Sequence, residues 1–452
     1  MNKKIINSIV NAGGELFLVG GAVRDNILNI SPQDKDYMVR KINIRKLRSI
    51  LKDFGIAKII GKSFPVVQFR QFGHETSYEI SLPRKEKSTG PGHSDFEIDC
   101  SPDISVEEDL LRRDFTINAI AINMVTGDLI DPYNGKTHLK NGILKMVHEN
   151  AFKEDALRIL RGAQFSARFR LWADINTLNS MGEAAPLLNH ISMDRHWLEI
   201  KKAMLHSERP SVFFTTLRKV NALQYIIPEL NRCIGVPQDH KWHINNVFEH
   251  IMSALDSVPS TKLHVRLAAL FHDIGKPITM NKEKDGNIHF YGHDLKSKLI
   301  ASKTLRERWK GCPEDITKKV ETLVENHMFE LMYNGLSKPA IRRLIARVGE
   351  DLIYDLIDLR IGDRIGCGMP GIPMGKVGYL KREVEEEMKN PLTSIKHLQI
   401  NGETLIKMGY KPGPKFKMML EWAMEEVIQD PSKNNTNDLM KSIKANFPQG
   451  DE

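Results

Sequence analysis

The chain has 452 residues, 41% hydrophobic and 27% charged, and its 65 Lys and Arg against 57 Asp and Glu leave a formal charge of +8 with an isoelectric point near 9.0. That length exceeds what one hydrophobic core sustains and predicts two to four domains. No run approaches the roughly 18 apolar residues of a membrane span, and the charge fits a polyanionic partner or a basic housekeeping enzyme equally well.

Cys100, Cys233, Cys312 and Cys367 are scattered without a C-x-x-C pair, which argues against a disulfide framework and a cysteine zinc site. Met1-Asn2-Lys3-Lys4 leads into interrupted apolar segments with no small-residue cleavage site, so no signal peptide is expected and the cytoplasm is the expected location.

The first 150 residues read as alternating strands and helices. Leu16 to Val19 is a short apolar strand, Gly20-Gly21 a turn and Ala22 to Leu28 a helix. Amides at such a strand-to-helix turn can face an anion, and the helix N-terminus adds partial positive charge. On its own the turn has a plainer reading as a simple connection. Asp34-Lys35-Asp36 then precedes Tyr37-Met38-Val39, a predicted strand. Residues i and i+2 of a strand share a face, so Asp34 and Asp36 stand side by side; two such carboxylates repel unless a hard divalent cation, naturally Mg2+, sits between them. The plainer alternative is a solvated turn balanced by Lys35.

Glu154 to Phe169 reads as one helix with Glu154, Asp155, Arg158 and Arg161 at spacings of three and four. Intrahelical ion pairs on a wet face are one reading. The other is a base-reading edge: a carboxylate accepts from the exocyclic amine of cytosine or adenine, while a guanidinium donates to ring nitrogens or a carbonyl oxygen. Arg84 to His93 is rich in charge, glycine and proline and reads as a mobile loop. Leu267 to Phe271 is an apolar helix ending in His272-Asp273, with Gly275 as its stop signal. His250 precedes this doublet and His293 and His327 follow it, a mixture of imidazole and carboxylate that suits a divalent transition metal. Pro370 to Pro373 reads as an exit linker, Phe416 to Val427 as an amphipathic helix and the residues after it as a polar, frayed tail. A P-loop is excluded, because Ile56 stands where the glycine five residues before Gly61-Lys62-Ser63 is required.

Five segments carry a resemblance. Leu18 to Asp25, Asp34-Lys35-Asp36, Leu111 to Ala119, Asp131-Pro132-Tyr133-Asn134-Gly135 and Glu154 to Arg161, in this order, resemble the nucleotidyltransferase superfamily, specifically bacterial (class II) CCA-adding enzymes and poly(A) polymerases. The resemblance implies Asp34 and Asp36 as Mg2+ ligands, Glu79 as an assisting acid on a neighbouring strand, and Gly21, Arg24 and Arg113 as contacts to the incoming nucleotide. It makes Glu154-Asp155 with Arg158 the E-D-x-x-R protein template and Arg161 a further nucleotide contact, with the loop after Pro83 aiding the switch from cytosine to adenine.

The histidines resemble the HD phosphohydrolase superfamily, with His250, His272 and Asp273 as its core, His293, His327 and Asp363 as further ligands and His243 as a spare. CCA-adding enzymes of one bacterial group carry such a domain, which implies phosphatase, 2′-nucleotidase and 2′,3′-cyclic phosphodiesterase activities with a metal such as Ni2+, Mn2+ or Co2+. The segment from Asn401 to Pro414 is unlike that group's tail and closer to the C-terminal element of other bacterial members.

The expected fold class is therefore α+β: a nucleotidyltransferase α/β head with a mixed sheet over residues 1–150, an all-α neck and body over 151–235, an all-α HD domain over 236–378 and a helical tail over 379–452. The expected substrates are tRNA, CTP and ATP, with no membrane partner, for a monomer or homodimer. Two alternatives stay open: a poly(A) polymerase or CC- or A-adding enzyme, and an HD-type phosphohydrolase whose N-terminal half only binds RNA.

Overall fold

The computed structural model describes residues 1–32, 35–61, 64–88, 96–239, 243–284, 286–329, 336–368 and 374–448. Asp34 and the 370–373 linker lie outside these described residues. The chain divides into two compact units, Met1–Asn231 with Arg308–Gly311, and Arg232–Glu307 with Cys312–Glu452.

The first unit begins with α1 (Lys3–Asn11), β1 (Glu15–Val19), α2 (Gly21–Ile27), β2 (Asp36–Arg40), α3 (Ile44–Lys52), β3 (Gly55–Ile60), β4 (Val66–Gln71), β5 (Ser77–Ser81), β6 (Arg84–Ser88), β7 (Phe96–Cys100), α4 (Val106–Leu111), β8 (Ala121–Asn123) and β9 (Leu129–Ile130). Seven strands form a mixed sheet in the order β3-β4-β5-β2-β1-β8-β9, in which only β2 and β5 are parallel. Both faces of β1 are covered: Leu16 and Leu18 join Ile9, Val39, Leu47 and Phe69 on one side, and Phe17 and Val19 join Met38, Leu110 and Ala121 on the other. A strand sandwiched in this way reads as an unbroken apolar run, as Leu16 to Val19 does.

Strands β6 and β7 pair as a separate ribbon. The start of the segment expected to be a mobile loop is therefore a strand, because ladder hydrogen bonds to β7 override the weak strand preference of its charged residues. The rest of that loop, residues 89–95, lies outside the described residues.

The unit continues with α5 (Gly135–Lys140), β10 (Ile143–Leu144), α6 (Ala151–Glu154), α7 (Leu157–Phe169), β11 (Trp172–Ala173, parallel to β10), α8 (Ile175–Ala184), α9 (Met193–His206), α10 (Ser211–Lys219), α11 (Leu223–Ile226) and α12 (Pro228–Asn231). Helix α7 packs against α9 and α10. The single helix expected from Glu154 is broken at Asp155, whose extended backbone (φ −138°, ψ 103°) separates α6 from α7. Its carboxylate accepts the Leu157 amide at 3.0 Å. An aspartate side chain that bonds a following amide starts a helix rather than continuing one.

The second unit contains α13 (Val247–Ser257), α14 (Leu263–Phe271), α15 (Lys276–Thr279), β12 (Asn281–Lys282), β13 (Ile288–His289), α16 (His293–Lys303), α17 (Glu314–Asn326), α18 (Lys338–Val348), α19 (Ile353–Gly366), α20 (Met374–Glu387), α21 (Gly402–Lys407), α22 (Pro414–Gln429) and α23 (Thr436–Asn446). All residues of α14 are buried, which places its C-terminal His272-Asp273 inside the unit. Helices α13 and α19 pack closely because Gly362 and Gly366 lie one turn apart on α19. A Cβ at Gly362 would stand 2.9 Å from the Ala254 carbonyl oxygen, and one at Gly366 would stand 2.8 Å from the Ala254 amide nitrogen. This approach brings His250 on α13 to Asp363 on α19.

The tail expected to be frayed is helical over Thr436–Asn446. Leu439 and Ile443 of α23 are buried in a cluster with Leu405, Met419, Val427 and Ile428. The polar residues around α23 hid an apolar pair at the i, i+4 spacing of one helix face. No helix among the described residues is long and apolar enough to cross a membrane.

Candidate active sites

In the first unit the β1–α2 turn, the start of β2, residues 112–118, α7 and α9 converge on a cleft of about 610 Å3. Gly20 has φ +70°, and a Cβ there would lie 2.4 Å from Arg113 Nη1, so only glycine lets that guanidinium rest on the turn. Arg24 is buried and locked: its Nε and Nη2 donate to Asp25 Oδ1 at 2.9 and 2.7 Å, and its Nη1 donates to Asn118 Oδ1 at 2.8 Å. Its guanidinium carbon also lies 4.4 Å from the Phe169 ring centroid.

Asn118 in turn donates to Asp114 Oδ1 at 2.9 Å, and Arg161 Nε donates to Asp114 Oδ2 at 2.7 Å. Burial by itself raises the Asp114 carboxyl, but Arg161 and the Asn118 hydrogen bond outweigh it and hold the group at about 2. Asp109, also buried, receives Arg112 Nε at 3.0 Å and Arg113 Nη2 at 3.2 Å.

Gly21, Arg24, Arg113, Asp155, Arg158 and Arg161 all line the cleft, together with Asp36. Among the described residues, nine that line it are Arg or Lys and four are Asp, the balance of a polyanion site. Asp36 opens β2 in register with Glu79 on the parallel strand β5. Register partners on adjacent strands share a face, so Glu79 stands beside Asp36 rather than in the cleft lining.

Asp155 and Arg158 are each held from another direction rather than paired side chain to side chain. Arg195 Nη2 on α9 donates to Asp155 Oδ2 at 3.0 Å. Arg158 donates to the carbonyls of Ala151 at 3.1 Å and Arg112 at 2.7 Å, and its Nη1 lies 3.3 Å from Glu154 Oε2.

Sequence reasoning missed Arg195, Asn118, Arg168 and Lys202, which also line the cleft. Asn118 stood inside a quoted motif, whereas Arg195 is 40 residues from Asp155 and had no local signal. Asp131-Pro132-Tyr133-Asn134-Gly135 is a brace beneath the site. Asp131 accepts the amides of Gly135 and Lys136 at 2.6 and 2.9 Å, and Gly135 lies so close to Thr116 that a Cβ would be 2.0 Å from its carbonyl oxygen.

In the second unit six predicted residues converge from α13, the end of α14, α16, the end of α17 and α19. His250 Nε2 lies 3.0 Å from His272 Nε2, 3.1 Å from Asp273 Oδ2 and 3.2 Å from Asp363 Oδ1. On the other side of Asp273, Oδ1 lies 3.2 Å from His293 Nε2 and 3.7 Å from His327 Nε2. Asp273 therefore belongs to two buried triads, one with His250 and His272 and one with His293 and His327.

Three of the rings are aimed from behind. The Nδ1 atoms of His272, His293 and His327 lie 2.8, 2.7 and 2.7 Å from the carbonyl oxygens of Ala269, Phe290 and Val324, each three residues earlier. A ring that donates its Nδ1 proton to a carbonyl presents a bare Nε2, the arrangement of a metal-ligating imidazole. His250 differs: its buried Nδ1 has no hydrogen-bond partner among the described residues, and its ring meets His243 edge-on at 4.7 Å. Burial, reinforced by Lys276, lowers the pKa of His243 to about 3, so that ring is neutral.

Burial opposes charge on both Asp273 and Asp363, yet the surrounding cations and hydrogen bonds hold both carboxyls well below the ordinary range. Burial also opposes charge on His272, but these two carboxylates raise it to about 10. The cluster thus demands positive charge at its centre, and four imidazoles with two carboxylates form a donor set that suits a divalent transition metal. Gly275 contributes by close approach rather than as a stop signal: its φ is −81°, and a Cβ there would lie 2.7 Å from the His293 carbonyl oxygen.

A family model described as the "Poly A polymerase head domain" matches residues 16–145, one described as "Probable RNA and SrmB- binding site of polymerase A" matches 174–234, and one for the "HD domain" matches 242–365. A protein of Pseudoalteromonas atlantica named "Multifunctional CCA protein" is 38% identical over 67% of this chain and 72% of that protein. The protein of that name from Pasteurella multocida is 37% identical over 88% of this chain and 92% of its own length.

Among solved structures, the CCA-adding enzyme of Bacillus stearothermophilus in complex with CTP shares 21% identity at a TM-score of 0.70 over 98% of this chain and 96% of that one. The CCA-adding enzyme of Thermotoga maritima complexed with tRNA shares 20% identity at a TM-score of 0.60 over 99% and 96%. At those identities the structures speak to the fold, which is the α+β architecture expected, with a mixed sheet and helices followed by helical regions. With more than a third of its residues identical across nine-tenths of the Pasteurella multocida protein, the chain belongs to the multifunctional CCA protein family.

Proposed function

We propose that this chain adds CCA to the 3′ end of tRNA from CTP and ATP without a nucleic-acid template, and that its second unit is a metal-dependent phosphohydrolase. The observation that carries the first part is the strand register of Asp36 with Glu79 at a cleft where nine described lining residues are Arg or Lys, with Asp155, Arg158 and Arg161 in the same lining. Asp36, with Asp34 from outside the described residues, would hold Mg2+, and Glu79 assists. Bound there, the ion supplies activation of the ribose 3′-hydroxyl and neutralisation of the transferring phosphate.

The chain's own groups do the rest. Gly21, Arg24 and Arg113 hold the triphosphate at the turn, and Arg161, fixed by Asp114, adds a further contact. Asp155 keeps acceptor capacity and Arg158 keeps donors beyond its carbonyl bonds, so the two can meet the edge of cytosine or adenine and reject bases of the opposite donor order.

In the second unit His250, His272, Asp273, His293, His327 and Asp363 would hold a divalent transition metal of the Ni2+, Mn2+ or Co2+ type. The metal supplies an activated water for attack on a phosphate ester. Phosphatase, 2′-nucleotidase and 2′,3′-cyclic phosphodiesterase activities follow from that chemistry. The same reading assigns residues 1–150 to the head, 151–235 to the neck and body, 236–378 to the HD domain and 379–452 to the tail, and expects a cytoplasmic monomer or homodimer.

One experiment separates the two activities. With tRNA lacking its last three nucleotides, CTP and ATP, the wild-type chain should add three residues and stop. Asp36→Ala should abolish addition and spare phosphate-ester hydrolysis, and His272→Ala should do the reverse. Long adenylate tails on arbitrary RNA, or loss of both activities in either folded variant, would overturn the proposal.

A further inference from the structure

Beside the second metal-facing cluster stands a wall that ligand geometry does not explain. The β12–β13 ribbon pairs Asn281 with His289 and Lys282 with Ile288, and the chain leaves it through Phe290-Tyr291-Gly292 into His293. Tyr291 is 74% exposed, more than any other large apolar side chain among the described residues. Its ring lies nearly parallel to the His289 imidazole, 11° apart with centroids at 5.2 Å. His289 is anchored on its other edge, where Nε2 lies 3.4 Å from Glu283 Oε1. Tyr291 and His289 line the same cleft of about 490 Å3 as Asp273, His293 and Asp363, a volume suited to a mononucleotide.

Arg364, the residue after Asp363, lines this cleft as well. No carboxylate pairs with it among the described residues, whereas its neighbour Arg360 donates to Asp363 at 2.6 Å. An exposed ring alone calls for no occupant, but this one lines the cleft that holds the buried cluster and is backed by a second ring. A ring backed on one side offers its other face to a planar group, and any nucleobase provides such a face. A guanidinium without an acidic partner matches phosphate oxygens.

We infer that Tyr291, supported by His289, is a nucleobase-stacking platform, and that Arg364 takes phosphate oxygens turned away from the metal ligands. The cleft then selects nucleoside phosphates, including a splayed terminal nucleotide of RNA, over phosphate esters that lack a ring. Stacking tolerates every base, so adenine and cytosine ends are accepted alike. This rests on the phosphohydrolase reading of the site and names its specificity residues.

The test compares adenosine 2′-phosphate with glycerol 2-phosphate as substrates of the Mn2+-loaded full chain. Calorimetric binding of adenosine 2′-phosphate and of inorganic phosphate is measured alongside. Tyr291→Ala should raise KM for the nucleotide about tenfold, the size of one base–aromatic stack, leave its kcat unchanged and leave glycerol 2-phosphate hydrolysis unchanged. Tyr291→Phe should restore nucleotide selectivity, and Arg364→Gln should weaken both substrates alike. Equal losses on both substrates in Tyr291→Ala would reduce Tyr291 to a support for His293, and no change on either would remove the platform; both outcomes overturn the inference. If wild-type protein hydrolyses neither substrate, the phosphohydrolase reading falls. The binding arm still decides the platform: Tyr291→Ala must weaken adenosine 2′-phosphate about tenfold while sparing inorganic phosphate.

Discussion

Replacing Arg195 by alanine leaves Asp155 with the Leu157 amide at 3.0 Å and removes the one side-chain partner it has among the described residues, the Arg195 Nη2 group at 3.0 Å. The two side chains are only 20% and 18% exposed, so their pairing exceeds the value of a surface ion pair without reaching that of a fully buried one. A hydrogen bond to a charged group contributes roughly 1.5–3 kcal/mol. Residual solvent access puts this one near the low end, about 1.5–2 kcal/mol, which converts to a 10- to 30-fold loss in kcat/KM if the bond orients Asp155 for base reading. The assay is incorporation of a single CMP into tRNA lacking its CCA end, run in parallel with UTP. CTP efficiency should fall by that factor while the slow UTP reaction stays level, so selectivity narrows as well. Arg195→Lys should recover part of the loss, because the charge returns without the fork. An alanine variant within about twofold of wild type, or one that loses CTP and UTP equally, would refute the claim that Arg195 sets the Asp155 edge.

Asp114 gives a stability test with a defined sign. Its carboxyl is held at about 2 in the fold against an ordinary 3.8, so its stabilisation is present above the ordinary value and is lost as pH falls toward 2. The difference corresponds to roughly 2 kcal/mol at neutral pH. The gap in urea unfolding free energy between wild type and Asp114→Asn should be flat from pH 7 to about 5 and narrow below about pH 4; a gap that widens on acidification contradicts the pairing with Arg161. In the other unit, His243→Ala should weaken metal binding by about tenfold in a chelator competition, since it removes the ring that abuts His250, and should leave CMP addition intact. Unchanged metal affinity would show that His250 is oriented without it.

Residues whose chemistry sits in short local patterns were legible. Gly20-Gly21, Asp36 and His272-Asp273 stand in spacings of one to three residues, and secondary-structure periodicity carries such patterns directly; Arg113 was named through the family resemblance. Glu79 was named through the family resemblance, and the register of β2 and β5 sets it opposite Asp36. Groups recruited across the fold were not. Arg195 reaches Asp155 from α9 and Asn118 links Arg24 to Asp114, relations set by packing rather than by spacing. The break at Asp155 was readable in principle, because an aspartate two residues before Leu157 is a capping signal; the helical spacing of Glu154, Arg158 and Arg161 masked it. Gly362 and Gly366 carried a small-residue spacing that marks close helix packing, and no site chemistry drew attention to it.

Carboxylates bonded to guanidiniums explain how so many arginines can share one wall of the first cleft. Asp25 is bonded to Arg24, Asp114 to Arg161 and Asp155 to Arg195, while Asp109 holds Arg112 and Arg113 from below. Without these partners the guanidiniums would repel one another and drift apart. Paired, they stay aimed inward and still carry net positive charge, so an anion entering the cleft would meet donors already in position instead of reorganising them.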